Sequence, residues 1–288
     1  MGISAARSAS SHHSEEAILG AVLDDLRSTL RVGWVEPALR TLTAEPIFLA
    51  AAWSATRPNV TRSFAAGADR LQRVAVEAAR RIIRPRDLSD WVRSEFSGIE
   101  RERITRTAQA MHHAAARTYL VVQAWAMLAR RQAIPGTGRE EPPAKRGIPS
   151  WQEGLVGTPR ALSEEAEALV DDTTAALGLS ATPSALRVAG RWPHYLELLA
   201  GELRSAAGNA GWNSTVTTLR RTVVEVLGDL PHPMDLQWDV LERRGLTDGR
   251  RSHVADHLTA ATSAMPANVL IAAAIWVGVG GPEIPAEF

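Results

Sequence analysis

The chain is 288 residues long, with 32 Lys plus Arg balanced by 32 Asp plus Glu and no cysteine. That length allows one large domain or two ordinary ones, and balanced charge without a basic stripe of interleaved aromatics argues against a nucleic-acid partner. The lack of cysteine excludes disulfides, thiolate nucleophiles and cysteine zinc sites, and suits a cytoplasmic location.

Residues 1–14 lack the apolar stretch of a signal peptide and read as a disordered tail. Ile18, Leu19, Val22, Leu23, Leu26 and Leu30 then follow the three-and-four spacing of one helix face, with Ser14 placed to cap it. This predicts a first helix from about 15 to 30. Pro37, Pro46, Pro58 and Pro85 suit first-turn positions, where the missing amide hydrogen costs nothing. No run alternates with period two, so the expected fold class is all-α with little or no sheet. The apolar stretch from Val269 to Val279 is about half the roughly 20 residues a membrane span needs. It predicts a buried core helix and no membrane partner.

Between 133 and 162 the chain holds five prolines and five glycines, a density no regular helix survives. Such a stretch reads as a linker between a first helical unit, 15–132, and a second, 163–288. A repeat supports the division. At one shared offset Leu39 pairs with Leu186, Arg40 with Arg187, Pro46 with Pro193, Phe48 with Tyr195 and Leu49 with Leu196. An offset four residues longer brings Trp125 onto Trp276. Two homologous helical repeats in a pseudo-twofold arrangement are expected, with a ligand pocket at their seam.

The segment DDLRSTLRVGWVEPALRTLTAEPIFLAAAW and the later ALRVAGRWPHYLELL resemble the paired motifs of the group I 2-haloacid dehalogenases. The likeness covers nearly the whole chain. It implies two all-helical halves around a buried pocket, where an Asp of the second half activates water to displace halide directly, without a covalent enzyme intermediate or a cofactor. Carried over residue by residue, that Asp falls on Ala185 and a pocket Asn falls on Ala116 or Arg117. The pocket Trp matches Trp34, the pocket Ser matches Ser184, and a pocket Phe becomes Pro37. The shell is kept and the water-activating carboxylate is not. A positioned base contributes about 10²–10⁴-fold, so either another residue supplies it or the substrate brings a better nucleophile. A tethered amine, held in attack geometry, would close a small nitrogen ring of aziridine or azabicycle type, as in natural-product biosynthesis. The alternatives are a hydrolytic dehalogenase with a relocated base and a non-catalytic binding or partner protein.

Glu36, two residues after Trp34 and immediately before Pro37, is the first candidate base, with helix capping as its bland role. His112 and His113 are the others; adjacent helix residues point about 100° apart, so one of them is expected to face the seam. Arg117 offers a fork for a carboxylate or sulfate, although a solvated face is the favoured reading. Thr182 and Ser184 flank a helix start, where they either cap or bind an anion. Asn268 is a polar residue in an apolar helix and a candidate to orient substrate, while Tyr195 and Trp192 suit the core. His253, Asp256 and His257 carry a histidine spacing that faintly suggests zinc, yet no third ligand is evident, so no metal is expected. The expected partner is a small-molecule substrate, arriving free or from a carrier or partner enzyme, with a homodimer left open.

Overall fold

The structure, a computed structural model, describes residues 19–152 and 161–281. The predicted Ser14 cap, the N-terminal tail and residues 153–160 of the linker lie outside the described residues. Helix α1 occupies 19–30 and ends at Arg31, whose φ of 58° reverses the chain. Prolines open the next elements as the sequence predicts: Pro37 starts the single turn α2 (Pro37–Arg40), Pro46 starts α3 (Pro46–Thr56) and Pro85 starts α5 (Pro85–Glu95). Pro58 falls in a short 3-10 turn, Arg57–Asn59. Between them runs α4 (Arg62–Ile82).

The long helix α6 (Gly98–Ala129) begins at a capping box: Ser97 accepts from the Glu100 amide (3.3 Å) while Glu100 accepts from the Ser97 amide (3.1 Å). The second half comprises α7 (Glu164–Ala176), α8 (Ser184–Ala189), α9 (Pro193–Ala207), α10 (Ala210–Gly228), α11 (Trp238–Arg243) and α12 (Asp248–Gly278). Ser163, Asn209 and Thr247 cap α7, α10 and α12. The described residues contain no strand, only two isolated bridges. The fold is all-α.

Helices α6 and α12 form the centre, and two contacts fix their register. His112 stacks on Trp276, and Arg130 donates to Thr259 Oγ1 (2.6 Å). As α6 advances from 112 to 130, α12 runs back from 276 to 259, so the pair is antiparallel. Around it α4 packs on α10 and α12, closely enough that a Cβ on Gly67 would stand 2.2 Å from Val226 Cγ1. Phe48 meets Trp125 edge-on, whose indole donates to Thr56 Oγ1 (2.9 Å), and Tyr195 donates to the Ile275 carbonyl (3.2 Å). By length and composition α12 could cross a membrane, yet its apolar window is mostly buried inside the protein, as in a core helix.

The described part of the proline-rich segment up to residue 152 contains no regular α-helix and is stitched down on the way. Ile134 pairs with Met234, the Ala144 amide donates to the Val60 carbonyl (3.0 Å) and the Gly147 amide to the Ser28 carbonyl (2.9 Å). A 3-10 turn, Ser150–Gln152, then brings Gln152 beneath the α1–α2 connection. Gln152 is buried there, accepting from the Gly33 amide (2.6 Å) and donating to the Arg31 carbonyl (3.0 Å).

Candidate functional site

Glu36 ends the connection that Gln152 holds. Preceding a proline, it takes an extended backbone (φ −53°, ψ 141°), and its carbonyl accepts from the Leu39 and Arg40 amides of α2. Its side chain makes no capping bond. The carboxylate instead turns inward, where only 2% of the residue is exposed. There Oε2 accepts from Ser184 Oγ (2.6 Å) and Oε1 from Asn268 Nδ2 (3.1 Å). Asn268 in turn accepts at Oδ1 from the Ala185 amide (3.0 Å), with Ser184 Oγ 3.1 Å away. A loop of the first half, the start of α8 and the middle of α12 thus meet in one polar cluster inside an apolar core.

Burial pushes the Glu36 carboxyl from 4.5 to about 7, against the opposing pull of the Ser184 and Asn268 hydrogen bonds and the Arg40 charge. The cluster accommodates both protonation states. When Glu36 is charged, Ser184 and Asn268 both donate to it. When it is neutral, Oε2 donates to Ser184, whose own hydrogen turns to Asn268 Oδ1, and no partner is orphaned. A carboxyl that changes state near neutral pH without breaking its surroundings is suited to exchange protons.

The other predicted residues divide. Ala185 is buried and contributes its amide to the cluster, and Ala116 is buried on α6. Trp34 is buried two residues before Glu36, its indole N–H without a partner in the protein. Thr182 is half-buried outside the network. Pro37 does not line a buried pocket: at the first position of α2, where its ring faces outward, it is exposed.

Both histidines are buried, because α6 is surrounded on all sides in this stretch. His112 faces Trp276 of α12, its ring nitrogens lack protein partners, and burial with the Arg117 charge lowers its pKa to about 3. The register puts Trp276 eight residues from Asn268, so His112 lies about 12 Å along the axis from the Glu36 cluster. The His113 ring Nε2 is 3.1 Å from the Arg31 carbonyl, and burial drives its pKa well down. Neither histidine is within hydrogen-bonding reach of the cluster or basic near neutral pH.

Arg117 is not on a solvated face. It is 5% exposed and pairs with Asp69 of α4 at 3.7 Å. Five residues beyond His112, it points roughly 140° away from the α12 side of the helix. It therefore stands apart from Glu36. His253 is exposed, His257 Nε2 lies 2.9 Å from the Ala38 carbonyl, and no metal-binding cluster occurs among the described residues. Sequence reasoning missed Gln152, a lone amide in the linker with no local signal of its role. Tyr195 is fully buried and Trp192 partly so, both against the core.

No family model matches the sequence. A configuration-inverting 2-haloacid dehalogenase from Pseudomonas sp. (strain 113) is 24% identical over 226 residues, which are 74% of this chain and 72% of the relative. The solved structure of a D-2-haloacid dehalogenase with L-LA superposes with a TM-score of 0.76 at 17% identity, covering 91% of this chain and 92% of that one. A D-2-haloacid dehalogenase mutant with D-2-CPA gives 0.75 at 18% identity over 91% of each chain. The chain has the 2-haloacid dehalogenase fold. Ala185 places a buried methyl group beside the polar cluster. The buried carboxylate of the cluster comes from the opposite half.

Proposed function

We propose that the chain displaces a leaving group from a small carboxylic or amino-acid-derived substrate at the seam, with Glu36 accepting the nucleophile's proton. The observation that carries this reading is the Glu36 carboxyl itself: buried, held by Ser184 and Asn268, and raised to about 7. In its sharper form the nucleophile is the substrate's own amine. The amine nitrogen bonds to the carbon bearing the leaving group, that bond breaks with its electron pair going to the departing anion, and the N–H proton passes to Glu36. The product is a small nitrogen ring of aziridine or azabicycle type.

Magnitudes favour the amine. An alkylammonium titrates near 10, about three units above Glu36, so releasing its proton to this base costs roughly 4 kcal/mol. Water is far less acidic. Tethering also supplies the approach geometry at no further entropic cost. The Trp34 indole N–H, buried and without a protein partner, is an available donor to the departing anion. Arg117, on another side of α6, is not given that role.

A second reading, hydrolysis with Glu36 as a relocated base, draws on the similarity to a configuration-inverting 2-haloacid dehalogenase. The test compares 3-amino-2-chloropropanoate with both enantiomers of 2-chloropropionate in oxygen-18 water, using the wild type, Glu36→Gln and enzyme-free controls. Ring closure predicts chloride release and unlabelled aziridine-2-carboxylate, slowed at least about 10²-fold by Glu36→Gln. Labelled lactate from 2-chloropropionate would instead establish the hydrolytic reading. Rates equal to Glu36→Gln on all substrates would defeat both.

A further inference from the structure

Charge is divided unevenly along the chain. Residues 15–132 carry 18 Arg against 13 Asp plus Glu, whereas residues 163–288 carry 9 Arg against 16 Asp plus Glu. The structure gathers part of each excess on one helix face. Seven residues of α4 are exposed, and five of them are arginines: Arg62, Arg70, Arg73, Arg80 and Arg81. Glu77 is the one acid among the seven. Glu225 of α10 also reaches this face, where Arg70 (2.6 Å) and Arg221 (3.5 Å) already share it. Arg73 and Arg81 form no ion pair among the described residues.

Helix α7 is the complement. Its exposed residues are Glu164, Glu165, Asp171, Asp172 and three alanines. The half-buried Glu167 is engaged by Arg187 (3.2 Å), whereas the four exposed carboxylates have no ion-pair partner among the described residues. Spacing agrees with charge. Glu164 and Asp171, like Glu165 and Asp172, are seven residues apart, which is about 10.5 Å along one side of a helix. Arg73 stands seven residues from Arg80 and eight from Arg81, about 10.5–12 Å. Carboxylates two turns apart on one helix can therefore meet the arginines at 73 and 80–81 together. Within the chain α7 packs on α9 and α8, and α4 packs on α6, α10 and α12, so neither face covers the other.

We propose that the two faces bind each other between copies of this chain, with α7 of one molecule docked along the α4 arginines of a second. Each chain carries both faces, so the contact either closes as a twofold pair or continues head to tail. Ion pairs between exposed side chains are individually weak and screened by salt. The association is accordingly reversible and strongest at low ionic strength. It does not depend on the reaction assigned to Glu36.

Sedimentation velocity of the full chain over a concentration series tests this, on wild type, Arg73→Glu/Arg81→Glu, Asp171→Arg/Asp172→Arg and an equimolar mixture of the two variants. The four positions are exposed, so circular dichroism should show unchanged helix content. In about 20 mM salt, where screening is weak, wild type should sediment as a species of at least twice the monomer mass, and it should return to monomer in about 0.5 M salt. Each double variant alone should stay monomeric, because its altered face repels the unaltered one. The mixture should regain the heavier species, since both α4–α7 contacts are again opposite in sign. The wild-type salt series needs no variant: a monomer at low salt, or an assembly that salt does not weaken, overturns the proposal. So does an assembly that survives in both variants, or a mixture that stays monomeric, which would assign the arginine face to an acidic surface of a different protein.

Discussion

Replacing Glu36 by glutamine gives a stability change whose sign reverses the usual carboxylate case. The folded-state pKa is raised from 4.5 to about 7 by burial, so the folded protein holds this proton over a range in which the unfolded chain has lost it. Stability therefore falls as pH rises from 4.5 to 7, and the penalty is complete above 7. A shift of about 2.5 units corresponds to roughly 3 kcal/mol. The amide avoids this cost and fits the neutral network: its NH₂ donates to Ser184, Ser184 donates to Asn268 Oδ1, and the amide oxygen accepts from Asn268 Nδ2. Urea unfolding of wild type and Glu36→Gln at pH 4.5 and pH 8 reads the effect directly. The two should be nearly equal at the lower pH, and the variant should be more stable by about 3 kcal/mol at the higher one, with unchanged m-values. Parallel pH curves would show that the Glu36 pKa is not raised, and would remove the basis for assigning it as a base near neutral pH.

His112→Phe keeps a buried ring against Trp276 while removing two ring nitrogens that have no protein partner. Stability should hold or rise by about 1 kcal/mol, and turnover should stay within threefold of wild type; a loss of a hundredfold would return His112 to the reaction. Gln152→Ala deprives the buried Gly33 amide of its 2.6 Å acceptor. The expected cost of about 1–3 kcal/mol should appear as a lower thermal midpoint. Because the Gln152 clamp sets the loop that ends in Glu36, kcat should fall more than KM rises, whereas a purely structural role would lower the midpoint alone.

Local chemistry made much of the fold readable. Prolines at helix starts and the three-and-four pattern before Leu30 are short-range signals, and the structure places helices accordingly. Facing on α6 was harder to read. The expectation that one of two adjacent histidines meets the seam, or that Arg117 lies on a solvated face, presumes a helix with an outside. From Ala114 to Val122 every residue of α6 is buried, so angular separation decides which neighbour a side chain meets rather than whether it meets one. Gln152 was invisible for a related reason: a clamp made of two backbone contacts leaves no pattern in its own segment.

Glu36, Ser184 and Asn268 were each separately readable as candidates, but nothing local joined them. Ser184 and Asn268 lie 148 and 232 residues from Glu36 in the chain, and only the packing of α2, α8 and α12 sets the three within hydrogen-bonding distance. That dependence constrains the chemistry. Pull α8 away, and Glu36 loses its Ser184 donor; shift α12 by one turn, and Asn268 leaves Oε1 while the Ala185 amide loses its acceptor. In either case solvent reaches the carboxylate, burial ceases to hold its pKa near 7, and the group reverts towards an ordinary glutamate that is a weaker base. The basicity assigned to Glu36 thus belongs to the packing of α2, α8 and α12 together, and loosening that packing should lower the pH at which the cluster takes up its proton before it unfolds the chain.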